Sequence, residues 1–181
     1  MKRLILLMAL LPCAATAFAQ DVYSSRNINL SFFSKAPMED IDAKTSQGVS
    51  AINIKTAAVY FKVPVNTFQF RKSLMQEHFN ENYLETDKFP YAEFKGRILE
   101  LPDLTKPGTY NVTVEGTLNM HGVVKTYREK GTITVSPGKL AVNCTFKVRI
   151  ADHKIKIPTL VIRNIAEVVD VTVDGTYGPT K

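Results

Sequence analysis

Strict alternation of apolar and polar side chains constrains this chain more than any other feature. From Tyr110 to His121, one row holds Tyr110, Val112, Val114, Leu118 and Met120 with Gly116, and the other holds Asn111, Thr113, Glu115, Thr117, Asn119 and His121. Successive side chains of a strand point to opposite faces, so this segment has one dry face as a strand and none as a helix. The pattern returns in Leu140, Val142, Cys144, Phe146, Val148 and Ile150, set against Ala141, Asn143, Thr145, Lys147 and Arg149. It returns again in Val59, Phe61, Val63 and Val65, set against Tyr60 and Lys62. Further strands are expected over 28–33, 49–54, 92–101, 126–135 and 168–177, which brings the total to about eight.

Ser136-Pro137-Gly138 and His121-Gly122 read as turns between strong strand signals, so the second half runs as successive hairpins with antiparallel neighbours. An antiparallel sheet of about eight strands with one apolar face packs as a sandwich or closes into a barrel, and closure removes the unpaired edges that invite aggregation. The barrel is the favoured reading: an all-β, antiparallel, eight-stranded fold. One stretch departs from alternation. Between Phe70 and Tyr83, Leu74, Met75, His78 and Phe79 recur at helical spacing, which predicts one short helix crossing an end of the barrel.

The first residues carry Lys2 and Arg3, an apolar run from Leu4 to Leu11, and Ala17-Phe18-Ala19 before the expected cleavage point. Residues 1–19 therefore read as a signal peptide, with secretion and a soluble mature domain over 20–181 as the expectation. Pro12 sits where a small residue normally precedes a lipidated cysteine, which argues against an anchor at Cys13. Loss of the signal leaves Cys144 alone, so no internal disulfide forms and a hydrophobic core must carry stability. The formal charge of +6 includes Lys2 and Arg3; the remaining basic excess is mild and spread along the chain. With no Trp and no nucleic-acid-binding motif, nucleic acid is not an expected partner, while transient contact with an anionic membrane surface is compatible with the charge.

No motif points to catalysis. The remaining histidines, His78, His121 and His153, lack the close spacing of a zinc site, so no metal is expected. His78 reads as a packed or capping residue of the helix, and His121 as a turn residue whose ring hydrogen-bonds a neighbouring strand. Cys144 lies in a dry row, where a thiol behaves as a small hydrophobe rather than a nucleophile. There is no Gly-x-Ser-x-Gly elbow, phosphate loop or dinucleotide fingerprint, and no cofactor is expected. Carboxylates such as Glu39, Asp40, Asp42, Glu81, Glu85, Asp87 and Glu93 read as solvated. Lys147, Arg149, Lys154, Lys156 and Arg163 either ring a barrel mouth or are dispersed solubilising charge.

Two segments carry a likeness. His78-Phe79, the stretch Tyr83 to Asp87, Lys88-Phe89-Pro90 and Phe94 form one block, and Leu118, His121, Gly122, Val123 and Lys125 form a second. In this order they resemble the YceI-like family of periplasmic lipid-binding proteins. The likeness covers nearly all of the expected mature chain and fades toward both ends, where Asn29-Leu30-Ser31-Phe32 and Arg149-Ile150-Ala151-Asp152-His153 replace the family's usual patterns. The resemblance implies one YceI-like domain over 20–181, a lipocalin-like barrel whose tunnel holds a polyisoprenoid or similar fatty amphiphile.

On this reading the protein is a periplasmic binding or carrier protein and not an enzyme. The candidate ligand-lining residues are Phe32, Phe61, Phe94, Leu118, Met120 and Phe146 from strands, with Leu74, Met75 and Phe79 from the helix gating one end. Small barrels are often packed shut, so a filled barrel that binds a partner protein on its outer surface is the rival reading. A histidine-dependent site at His121 or His153 is the second rival, and the oligomeric state, a homodimer included, is left open.

Overall fold

Wherever the sequence alternates, the computed structural model places a strand; it describes residues 21–35, 40–156 and 166–180. The strands are β1 Val22–Ser34, β2 Ile41–Asn53, β3 Ala58–Pro64, β4 Gln69–Phe70, β5 Tyr91–Ile98, β6 Gly108–Met120, β7 Val123–Ser136, β8 Lys139–Arg149 and β9 Val168–Pro179. Their order is β1-β9-β8-β7-β6-β5-β3-β2-β4, and a further β1–β2 pairing joins the ends. The result is a closed, eight-stranded, antiparallel barrel, with the two-residue β4 appended to β2. The signal segment and Arg163 lie outside the described residues.

One strand start needs correction, the expected short helix is found with an unexpected continuation, and one short strand is new. β2 starts at Ile41, not near Val49. Its buried positions run Ala43 and Thr45, then Gly48, Ser50 and Ile52, because a bulge shifts the phase and the Gln47 N–H turns back to the Thr45 hydroxyl. Alternation that changes phase in mid-strand is hard to read from sequence. Second, the helix α1 covers only Ser73–His78; the chain then widens into a π turn over Phe79–Tyr83, in which the Leu84 N–H donates to the Phe79 carbonyl. Third, β4 was not anticipated.

The polarity of the barrel is apolar inside and polar outside, the reverse of a barrel facing lipid. Along β6 and β8 the outward positions carry Asn111, Thr117, Asn119, Thr145 and Lys147. Lys147 pairs with Asp170 of β9 at 2.6 Å on this outer surface, so it does not ring the mouth.

The two ends of the barrel differ. At one, Ile52, Ile98, Val112, Ile133, Val135, Leu140 and Tyr177 interlock as a buried core, and Leu104 from the β5–β6 connection closes over them. Ile28 of β1 is fully buried between Gly48 and Gly175, where any Cβ would overlap it. At the other end α1 lies across the opening. There Phe79 stacks on Phe32 with ring centroids 5.6 Å apart and touches Phe70 at 4.9 Å, and Phe68 completes the cluster. Such aromatic contacts bring large apolar area and a preferred geometry.

Candidate functional site

Between the packed end and the aromatic cluster lies a cavity of about 640 Å³. An apolar cavity of roughly 150 Å³ already binds benzene, and small-molecule sites run from about 300 to 1,000 Å³, so this hollow is of ligand size. Its walls are the inward rows read from the sequence: Val59, Phe61, Val63 and Val65; Val112, Val114, Leu118 and Met120; Val142, Cys144, Phe146, Val148 and Ile150. A pair of glycines shapes the wall. Gly96 and Gly116 face each other across β5 and β6, and a side chain on either would collide with the backbone opposite and with the Phe94 ring lying over them.

Of the candidate residues, Phe32, Phe61, Met75, Phe79, Phe94, Leu118, Met120 and Phe146 all lie on the cavity wall. Leu74 does not. It is 58% exposed on the outer side of α1, because the inner face of this short helix is set by Met75, His78 and Phe79, and Leu74 falls one residue off it.

The two motif blocks meet at the cavity mouth as a structural brace. His121, at the β6–β7 turn with φ 52°, directs Nδ1 at the His153 carbonyl and Nε2 at a Glu85 carboxylate oxygen, each at 3.0 Å. Both partners are acceptors, so a ring nitrogen that carries a hydrogen donates it to the partner it faces. Its partners are a loop and a turn, not the neighbouring strand that was expected. Phe89 packs edge-on against the ring at 4.7 Å, and Gly122 has no room for a Cβ beside Phe89. Glu85 also pairs with Lys88, and the contacts with Lys88 and then His121 hold its carboxyl below the usual range.

His153 is fully buried in the 3-10 turn that follows β8. Its Nδ1 faces the Met120 and Val123 carbonyls at 3.3 Å each and therefore carries the hydrogen, so Nε2 accepts from the Tyr127 hydroxyl at 2.9 Å. Burial pushes its pKa down, against the pull of the two carbonyls. Both histidines of the enzyme rival are thus committed to structural hydrogen bonds, and among the described residues no cluster of three His, Cys, Asp or Glu side chains is placed to hold a metal ion.

One wall residue escaped the sequence reading. Glu129 of β7 is the sole carboxylate on the cavity wall among the described residues, and burial raises its pKa. The row Tyr127, Glu129, Gly131, Ile133 and Val135 gives the signal, since the buried Ile133 and Val135 fix the inward phase. Cys144 sits beside it; burial first, and the Glu129 charge second, push its thiol up to about 11. A thiol so placed is a hydrophobic wall element, not a nucleophile.

Residues 26–177 match the YceI-like domain family. Among solved structures, a polyisoprenoid binding domain from Saccharophagus degradans, implicated in plant cell wall breakdown, superposes with a TM-score of 0.75 at 15% identity, covering 89% of this chain and 99% of that one. BcnA from Burkholderia cenocepacia superposes with a TM-score of 0.69 at 12% identity, covering 82% and 95%. The Campylobacter jejuni YCEI protein gives 0.60 at 14% identity, covering 81% and 85%. At these identities the likeness establishes the barrel. No match is found among curated proteins. With a family match spanning almost the whole barrel, the chain belongs to the YceI-like family.

Proposed function

We propose that this protein is a periplasmic binding or carrier protein that holds a polyisoprenoid or other long-chain amphiphile inside its barrel and performs no chemistry of its own. The observation that carries this reading is the apolar hollow of about 640 Å³ where a filled barrel would have interlocking side chains. A polyisoprenoid-binding domain on the same fold supports it. Phe32, Phe61, Met75, Phe79, Phe94, Leu118, Met120 and Phe146 form the ligand surface. Burying apolar carbon contributes roughly 0.8 kcal/mol per methylene, so a few isoprene units bind at about micromolar strength after the cost of association. No charged clamp is needed. The mild basic excess favours brief contact with an anionic membrane surface during delivery.

The test is native mass spectrometry of protein taken from a periplasmic extract, followed by organic-solvent extraction and mass analysis of what is released. A stoichiometric adduct of an apolar, chain-like lipid is the expected result. A bare chain mass, together with no uptake of added farnesol, would refute the carrier reading and return the filled-barrel alternative. Detection of the chain only in the cytoplasmic fraction would refute the assigned location.

A further inference from the structure

Along most of the barrel wall, neighbouring strands stay hydrogen-bonded, but β7 and β8 part. Their ladder runs from Ser136–Lys139 to Gly131–Cys144 and stops. Both strands continue past this point, β7 to Val123 still paired with β6 and β8 to Arg149 still paired with β9. At the fork the Cys144 thiol donates to the Lys130 carbonyl at 3.4 Å, and at the far side of the gap Tyr127 meets the Phe146 ring edge-on at 6.0 Å and its hydroxyl donates to His153. At the fork stands Glu129.

The surroundings of this carboxyl are unusual. Among the described residues it makes no hydrogen bond or ion pair, and no lysine or arginine lines the cavity. Two other polar wall groups near the packed end have partners: the Tyr177 hydroxyl donates to Ser50, and Ser50 donates to the Tyr60 carbonyl. Across the ladder from Glu129 is Val114 of β6, and the titratable groups around the hollow are Tyr127 beside it on β7, Cys144 on β8, Tyr177 on β9, and His78 and Tyr83 in the segment between β4 and β5. A free carboxyl on an apolar wall is costly unless something supplies a partner. Burial shifts it toward its protonated form, which donates as well as accepts.

We propose that the fork between β7 and β8 is a headgroup subsite, at which Glu129 donates a hydrogen bond to a neutral hydroxyl or carbonyl oxygen of the bound amphiphile. The inference rests on the lipid-binding reading and narrows it. The ligand's polar end lies at the fork in the wall, and its hydrocarbon extends toward Phe32, Phe79 and the mouth. A phosphate or carboxylate headgroup is disfavoured, because among the described residues no lysine or arginine lines the cavity to balance its charge.

Calorimetric titration of the lipid-stripped protein at about pH 6 with farnesol, farnesene and farnesyl phosphate tests the proposal. Wild type is expected to bind farnesol about tenfold more tightly than either of the others, the ratio of one well-made buried hydrogen bond. Glu129→Gln, whose amide still donates, keeps the preference for farnesol over farnesene; Glu129→Leu abolishes that preference. Farnesyl phosphate binding wild type as tightly as farnesol, or Glu129→Leu retaining the wild-type ratio, overturns the subsite but leaves lipid binding standing. Failure of farnesene and farnesol alike to bind wild type overturns the lipid-binding reading and this one with it.

Discussion

The two ends of the barrel are built from the same alternating strands, yet one is solid and the other hollow. At the solid end, aliphatic side chains from facing strands interlock: Ile28 and Leu140 have no exposed surface, and Ile98 and Ile133 have 1%. At the hollow end, Phe61, Phe94, Met120 and Phe146 project inward but remain only partly buried, because no side chain fills the space in front of them. A side chain packed on all sides gains dispersion contacts that one facing a void lacks. The solid end therefore carries stability, and the hollow end is free to serve binding.

The sharpest way to break this division is to truncate one residue at each end. Leu140→Ala is expected to cost about 3 kcal/mol in urea unfolding, since it removes a fully buried side chain and leaves a cavity. Phe61→Ala, although it removes more atoms, is expected to cost only about 1 kcal/mol, because one face of the ring already looks into the void. Equal losses at the two positions would show that the hollow end is as tightly packed as the solid one. Farnesene affinity should respond in the opposite sense, falling for Phe61→Ala and holding for Leu140→Ala.

A second substitution sharpens the comparison by filling the void. Val171 of β9 faces the cavity between Phe32 of β1 and Phe146 of β8. Val171→Trp places a large ring in the hollow and is expected to weaken farnesene binding about tenfold, with unfolding free energy unchanged to within about 1 kcal/mol. Overpacking a solid core by as much costs about 1–3 kcal/mol. A large loss of stability with binding intact would place the ligand somewhere other than this cavity.

The contrast also explains what could be read from the sequence. A period of two assigns each side chain to a face, so Val59 to Val65, Tyr110 to Met120 and Leu140 to Ile150 declared their inward rows directly. Whether those rows interlock or stand apart depends on strand number and stagger around the closed sheet, which no single strand encodes. The hollow was therefore legible only through the family likeness. Leu74 was misplaced because one residue decides the face of a six-residue helix, and no second turn corrects the phase. Glu129 was missed because a charged residue on a strand is read as facing outward; its inward phase is set by Ile133 and Val135 further along β7. The first half of β2 was missed because its buried residues, Ala43 and Thr45, are small or polar and precede a bulge.

The smallest expected effect concerns the junction between the two histidines at the mouth, and it tests whether the hollow end has a stability of its own. His153 is buried as the neutral ring, with its pKa lowered from 6.5, so on acidification the unfolded chain takes up a proton that the folded chain refuses. The unfolded state then binds more protons, and stability falls as pH drops from about 6.5 toward the lowered folded value. Urea midpoints measured at about pH 7.5 and about pH 5.5 should show this loss in wild type, and His153→Gln should reduce the difference, because an amide keeps a donor and an acceptor but does not titrate. Glu85, whose carboxyl is held below the usual range, contributes in the same direction but at lower pH, as its own proton returns. A slope between these two pH values that survives His153→Gln unchanged would mean that the brace at the mouth is not what acid releases. In that case the hollow end would depend on the aromatic cluster of Phe32, Phe68, Phe70 and Phe79 alone, a contact that pH does not touch.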